Sequence, residues 1–261
     1  MKIKEIIDFL EKKGEWVDRL YTRDRVLYGD DNLDVNQVIT CWVATIDVIK
    51  EAKKRNCHFI ISHENPFYLA STSLHSTLIK AQEEKMSLLK DNRITIYRCH
   101  DLWDLYPEYG VRDRWARTLQ LSFEEAIPHS FFRVAYDVDM TVEELAHHVN
   151  TCIQDLGQIG IQVIGDLKKK VNRLAIGTGA CTDVFSMNEH HVDACLVSDD
   201  GINNWVGVQW AMDHHIPLIV VNHMTCEAPG MKGLQEYLTK EFPDIKVEFL
   251  DNDYGIYHIQ K

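Results

Sequence analysis

The chain has 261 residues and sets 28 Lys and Arg against 40 Asp and Glu, a formal charge of −12. That balance gives duplex DNA no generic basic face. With 45% hydrophobic and 26% charged residues, the composition is that of a folded domain rather than a disordered chain. The length suits one large α/β domain or two small ones, and the acidity suits a site that collects cations.

The elements can be read in chain order. Ile3, Ile6, Ile7 and Leu10 recur at helical spacing before Gly14, which predicts a first helix. VITCWVAT (38–45), the helix 46–55 and CHFIIS (57–62) form a βαβ unit that ends at His63. A polar loop around Pro66 follows over 63–73, then a helix over 74–90 and the strand ITIYR (94–98). Residues 99–113 read as a loop, and a short helix around 112–121 closes the first half. In the second half FFRVAYDV (131–138) reads as a strand, and Thr141 with Glu144 forms a capping box for a helix. RLAIGTG (173–179), DACLVS (193–198) and PLIVVNH (217–223) read as strands, with helices between them and after 228. The tail from Lys246 adds one or two strands.

This alternation predicts an α/β fold of two halves with helix-covered sheets, 1–125 and 126–261, divided softly near 122–130. No stretch approaches 18 apolar residues, and MKIKEIIDFLEKKGEW lacks a signal peptide's apolar region. A cytoplasmic protein with no membrane partner is expected. The seven cysteines include no CxxC pair, so most read as small buried hydrophobes.

In open α/β sheets ligands gather at the carboxyl ends of strands. CHFIIS is followed by His63 and Glu64, ITIYR by His100, Asp101 and Asp104, DACLVS by Asp199 and Asp200, and PLIVVN by His223 with Glu227 four residues on. Were Met224 to begin a helical turn, His223 and Glu227 would share one face and one ion. His63 and Glu64 would face opposite ways in a regular strand, but at a strand end both can reach inward. Imidazoles and carboxylates without thiolate suit zinc, manganese, iron or nickel. Two such ions ~3.5–4 Å apart would generate hydroxide at neutral pH. A lone histidine at a strand end is ordinarily a core hydrogen-bonding group or a cap, and it is the recurrence at several strand ends that points to metal. The His-His pairs at 147–148, 190–191 and 214–215 read as solvated helix faces. GTGAC (177–181) is a weak phosphate-loop signal and a good tight turn, and Asp199-Asp200-Gly201 reads as a cap or turn. Cys226, between two candidate ligands, reads as shielded or redox-sensitive.

Four segments, FIISHENPFY, CHDLWD, SDDGINNWVGVQWAMD and IVVNHMTCEAPGMKGL, resemble those of the Nif-three-like family, also described as dinuclear-metal-centre hexameric proteins, and the His-Glu pair resembles one subgroup. The resemblance runs from the first helix to about Leu238. It implies two α/β halves with the metal site at strand ends between them, and a homo-oligomer, a toroidal hexamer built as a trimer of dimers. It also implies two divalent transition-metal ions per chain, held by His63, Glu64 in place of a second His, Asp104, His223 and Glu227, with His100 near the site. Three departures stand out: the carboxylate at Glu64, Asn222 where Gly usually precedes the His, and Asn204 or Trp205 where many members carry another His. The family's inserted third domain has no room here. Many members carry the label of a type 2 GTP cyclohydrolase I. The expected function is a metal-dependent hydrolase for a small phosphorylated or purine-nucleotide substrate. The alternative is a non-catalytic metal-binding regulatory or scaffold protein in a hexameric ring. Nucleic acid is a disfavoured partner.

Overall fold

A computed structural model describes residues 1–68, 75–202, 205–250 and 255–259. Asn204 and the end of the 63–73 loop lie outside the described residues, as does the side chain of Cys181. The chain divides into two compact units, Met1–Trp103 with Met231–Asn252, and Asp104–Gly230 with Asp253–Lys261. The division expected from the sequence lies at 125/126, whereas the compact units change over at Trp103/Asp104, and the first unit takes in Met231–Asn252 as well.

The first unit is built on a five-stranded sheet in the order Arg25–Tyr28, Thr95–Arg98, Phe59–Glu64, Gln37–Val43, Lys246–Phe249. The last four run parallel, and Arg25–Tyr28 closes the edge antiparallel. The predicted βαβ unit is present, its helix Ile46–Lys54 opened by Thr45, whose side chain accepts from the Val48 amide. Ile39, Cys41, Ile60, Ile94 and Ile96 pack with Val48, Ile49, Ala52 and Leu89 in one core. The strand Phe59–Glu64 runs two residues beyond the predicted end, so His63 and Glu64 are still in the ladder, and Glu64 pairs with Val43.

The second unit repeats the arrangement with a five-stranded sheet in the order Arg133–Ala135, Leu174–Ile176, Ala194–Ser198, Leu218–Val221, Gln162–Ile164. The three central strands are parallel and the two outer ones antiparallel. Its strands show the strict alternation of a sheet covered on both faces. Leu174, Ile176, Ala194, Leu196, Ile219 and Val221 enter one core, and Ala175, Cys195, Val197, Leu218 and Val220 the other. The Thr141–Glu144 capping box is formed and opens the helix Val142–Ile153.

The edge strands Arg25–Tyr28 and Gln162–Ile164 are additions to the sequence reading, and two helices differ from it. Asp101–Asp104, read as loop, is a short helix. The last helix begins at His223 rather than after 228 and runs to Glu241. No helix among the described residues is long and apolar enough to cross a membrane.

Candidate metal centre

In the first unit the candidate ligands collect where two parallel strands end. His63 is fully buried, and its Nδ1 lies 3.2 Å from the Cys99 carbonyl. A carbonyl only accepts, so in the neutral ring Nδ1 carries the proton and Nε2 keeps the lone pair that a metal uses. The His100 ring stacks on that of His63 with centroids 4.4 Å apart and planes 11° off parallel. Asp101 Oδ1 sits 2.8 Å from His100 Nδ1, a carboxylate–imidazole pair that fixes ring orientation. Burial works against the Asp101 charge, but the His100 contact and hydrogen bonds from Arg23 outweigh it and hold the carboxyl well below the usual range. Asp104, the last residue of the short helix and the first of the second unit, is buried.

Asp24 explains why that helix exists. Its carboxylate accepts from the backbone amides of His100 and Leu102 and from the Thr22 hydroxyl, capping the Asp101–Asp104 turn from 78 residues away in sequence. Burial pushes the Asp24 carboxyl up from its ordinary range, and those hydrogen bonds offset part of that shift. Asp24→Asn removes a costly charge but turns an amide NH2 onto backbone donors. It is expected to destabilise the fold by about 2 kcal/mol in urea denaturation. A variant within about 0.5 kcal/mol of wild type would refute the capping role.

Glu64 has two different oxygens. Oε2 accepts from Arg98 Nη2 at 2.7 Å, and Oε1 lies 3.6 Å from His100 Nε2. Burial opposes the Glu64 charge, but His100, His63 and Arg98 together hold its carboxyl far below the usual range. Arg98 was visible in the sequence only as the end of ITIYR. Its partners lie 34 and 35 residues upstream, and a strand-end arginine carries no local sign of them.

In the second unit His223 opens the last helix, so the i, i+4 expectation is met: His223 Nε2 lies 2.9 Å from Glu227 Oε2. Asn222, where the family pattern has Gly, serves as the cap, its Oδ1 accepting from the Met224 amide at 3.1 Å. Asp199 directly follows its strand, and its amide donates to the Val221 carbonyl at 2.9 Å. Its Oδ1 accepts from the His223 amide at 2.8 Å and its Oδ2 from the Asn222 side chain at 2.7 Å. Asp200 Oδ2 stands 3.4 Å from His223 Nδ1. The cap expected at Asp199-Asp200 is therefore real but serves a helix more than 20 residues further on. Cys226 is fully buried, donates to the His223 carbonyl at 3.1 Å, and has its pKa pushed well up by burial, so it is shielded rather than reactive.

The GTGAC turn lies against this pair. Gly179 has φ +51°, and a Cβ there would come 2.3 Å from Glu227 Oε1 and 2.6 Å from His223 Nε2. The backbone thus leaves open the space beside both donor atoms. Ser198 Oγ donates to the Gly179 carbonyl at 2.7 Å and accepts from the Gly201 amide at 2.9 Å, tying the two loops together. The imidazole and carboxylate donors and the space kept by Gly179 fit divalent metal. Of the histidine pairs, His147, His191, His214 and His215 are exposed and His148 bonds the Leu119 carbonyl. None joins a candidate metal group among the described residues.

The comparisons agree with this architecture. A family model described as Duf34/NIF3 (NGG1p interacting factor 3) matches residues 1–254. A protein of Clostridium perfringens named "GTP cyclohydrolase 1 type 2 homolog" is 24% identical over 262 residues, covering 96% of this chain and 95% of its own. Among solved structures, protein ybgI, of unknown function, superposes with a TM-score of 0.79 at 21% identity, over 96% of this chain and 98% of its own. Staphylococcus aureus protein SA1388 does so at 0.78 with 19% identity, over 96% of each chain. With the two sheets, the strand-end histidines and a match over nearly the whole length, the chain belongs to the Duf34/NIF3 family.

Proposed function

We propose that the protein is a metal-dependent hydrolase using two divalent transition-metal ions per chain, with His63, Glu64, His100, Asp104, His223 and Glu227 as its ligands. The observation that carries the reading is the stacked pair of His63 and His100, ring centroids 4.4 Å apart, with Glu64 Oε1 3.6 Å from His100 Nε2 where two parallel strands end. The donor set favours zinc, iron, manganese or nickel. Bound there, the ions supply Lewis acidity and lower the pKa of a bound water towards neutrality. The chain's own groups orient the donors. Cys99 and Asp101 set the His63 and His100 rings, while Asp199 and Asp200 set His223.

The substrate proposed is small and phosphorylated, or a purine nucleotide. The name carried by the Clostridium perfringens relative supports this class. In a chain of net charge −12, the bound cations would provide the local attraction that an anion needs. The hexameric ring, assembled as a trimer of dimers, belongs to the same reading through the Nif-three-like resemblance, and a cytoplasmic location is proposed with it.

Elemental analysis of purified wild type and His223→Ala, with mass by light scattering, tests the proposal. The expected result is about two transition-metal ions per wild-type chain, a clear loss in His223→Ala with the fold retained, and no turnover of nucleotides or phosphate esters after chelation. A wild type that stays metal-free after reloading, or activity that survives complete metal removal, would overturn it.

A further inference from the structure

Arg98 ends the strand Thr95–Arg98 opposite Ser62, and its side chain is only 11% exposed. The guanidinium reaches two acceptors at once. Nε donates to the His63 carbonyl at 3.0 Å and Nη2 to Glu64 Oε2 at 2.7 Å. The other carboxylate oxygen, Oε1, faces the His100 ring. The carboxylate is thus divided, with one oxygen committed to a cation of the protein and the other directed towards the candidate ligands.

We propose that Arg98 is a positioning residue that makes Glu64 a one-oxygen donor to the divalent ion. This rests on the metal reading above. A glutamate beside a divalent ion can offer both oxygens, and a carboxylate in place of an imidazole also adds a negative charge. The arginine answers both. It occupies the second oxygen and places a fixed positive charge beside the added negative one. A planar fork is needed to span a backbone carbonyl and a carboxylate together, which a lysine ammonium on its flexible stem does not do. An ordinary ion pair at a partly exposed strand end would contribute little by itself. The linkage to the His63 carbonyl separates this arrangement from such a pair, because it ties the Glu64 carboxylate to the backbone of a neighbouring ligand.

Cobalt(II) provides the test, since its visible absorption per ion falls as its ligand count rises. Wild type, Arg98→Met, Arg98→Lys, Glu64→Gln and the Arg98→Met/Glu64→Gln double variant are titrated with Co2+, and melting temperatures are recorded alongside. Arg98→Met is expected to lower the absorbance per bound ion. It should also tighten Co2+ binding by about tenfold, because a nearby positive charge is removed and a second oxygen becomes available. Arg98→Lys keeps the charge but loses the fork, so the spectral change should appear with a smaller gain in affinity; it also carries the test should Arg98→Met fail to fold. In the Glu64→Gln background Arg98→Met should leave the absorbance per bound ion unchanged, and only the part of the affinity gain that comes from the lost positive charge should remain. A lowered melting temperature with an unaltered spectrum would overturn the inference, as would a spectral change that persists without Glu64. A wild type that binds no Co2+ would overturn the metal reading itself, and this inference with it.

Discussion

Gly179→Ala is expected to leave the protein folded and, with the His223–Glu227 pair as proposed metal ligands, to lower its metal content. The new methyl would stand 2.3 Å from Glu227 Oε1 and 2.6 Å from His223 Nε2, closer than van der Waals contact allows. Both clashing atoms are ends of side chains, so relief comes from turning those side chains away rather than from moving backbone. The remaining cost is that of an alanine at φ +51°, roughly 1–2 kcal/mol, a loss of several degrees in melting temperature for a chain of this size. The geometry needed to bind an ion is lost over a displacement of an ångström or so, so metal content should fall far more than stability. Metal analysis beside a thermal melt separates the two effects. Full metal content in a folded variant would show that the space beside these donors is not used for coordination.

Gly230→Ala should have the opposite outcome. Gly230 lies in the helix His223–Glu241, and a Cβ there would meet Val111 Cα at 2.6 Å, Cγ2 at 2.7 Å and the amide nitrogen at 2.9 Å. Val111 opens the helix Val111–Thr118. Two of the three atoms are backbone, so the helices must part, and the cores they cover open with them. Overpacking usually costs 1–3 kcal/mol where side chains can adjust, and here about 3 kcal/mol or more is expected. Urea denaturation checks this, and a loss below about 1 kcal/mol would mean that the two helices have slack. Read together, the two glycine variants distinguish a position kept small for a ligand from one kept small for packing.

Much of this architecture was legible because it is written locally. The capping box at Thr141 and Glu144, the βαβ unit from Val38 to Ser62 and the four-residue spacing of His223 and Glu227 all lie within a few turns of chain, and all are formed. What was missed is held from a distance. The Asp101–Asp104 helix is too short to form by propensity and depends on Asp24, which no window around residue 101 contains. The edge strand Arg25–Tyr28 is recruited antiparallel to Thr95–Arg98, although the alternation of parallel strands and helices gave no place for it. Asp199 was legible in kind, as a cap, but not in target. The candidate site divides the same way. The donors could be named from strand-end position, while Arg98, Asp199 and Asp200, which aim them, are identified only by contacts in space.

Pro229 sits inside the helix His223–Glu241. It brings no amide, so the Thr225 carbonyl lacks its usual donor one turn on. The amides at the start of the same helix are held from outside, that of His223 by Asp199 and that of Met224 by the Asn222 side chain. The hydrogen-bond ladder therefore lacks one rung between the turn that bears His223 and Glu227 and the longer stretch that follows. Cooperativity in a helix travels through that ladder, so the missing rung weakens the coupling of the His223–Glu227 turn to the rest of the helix. What anchors that turn is thus shared between the Asp199 loop at its head and the helix that contains it.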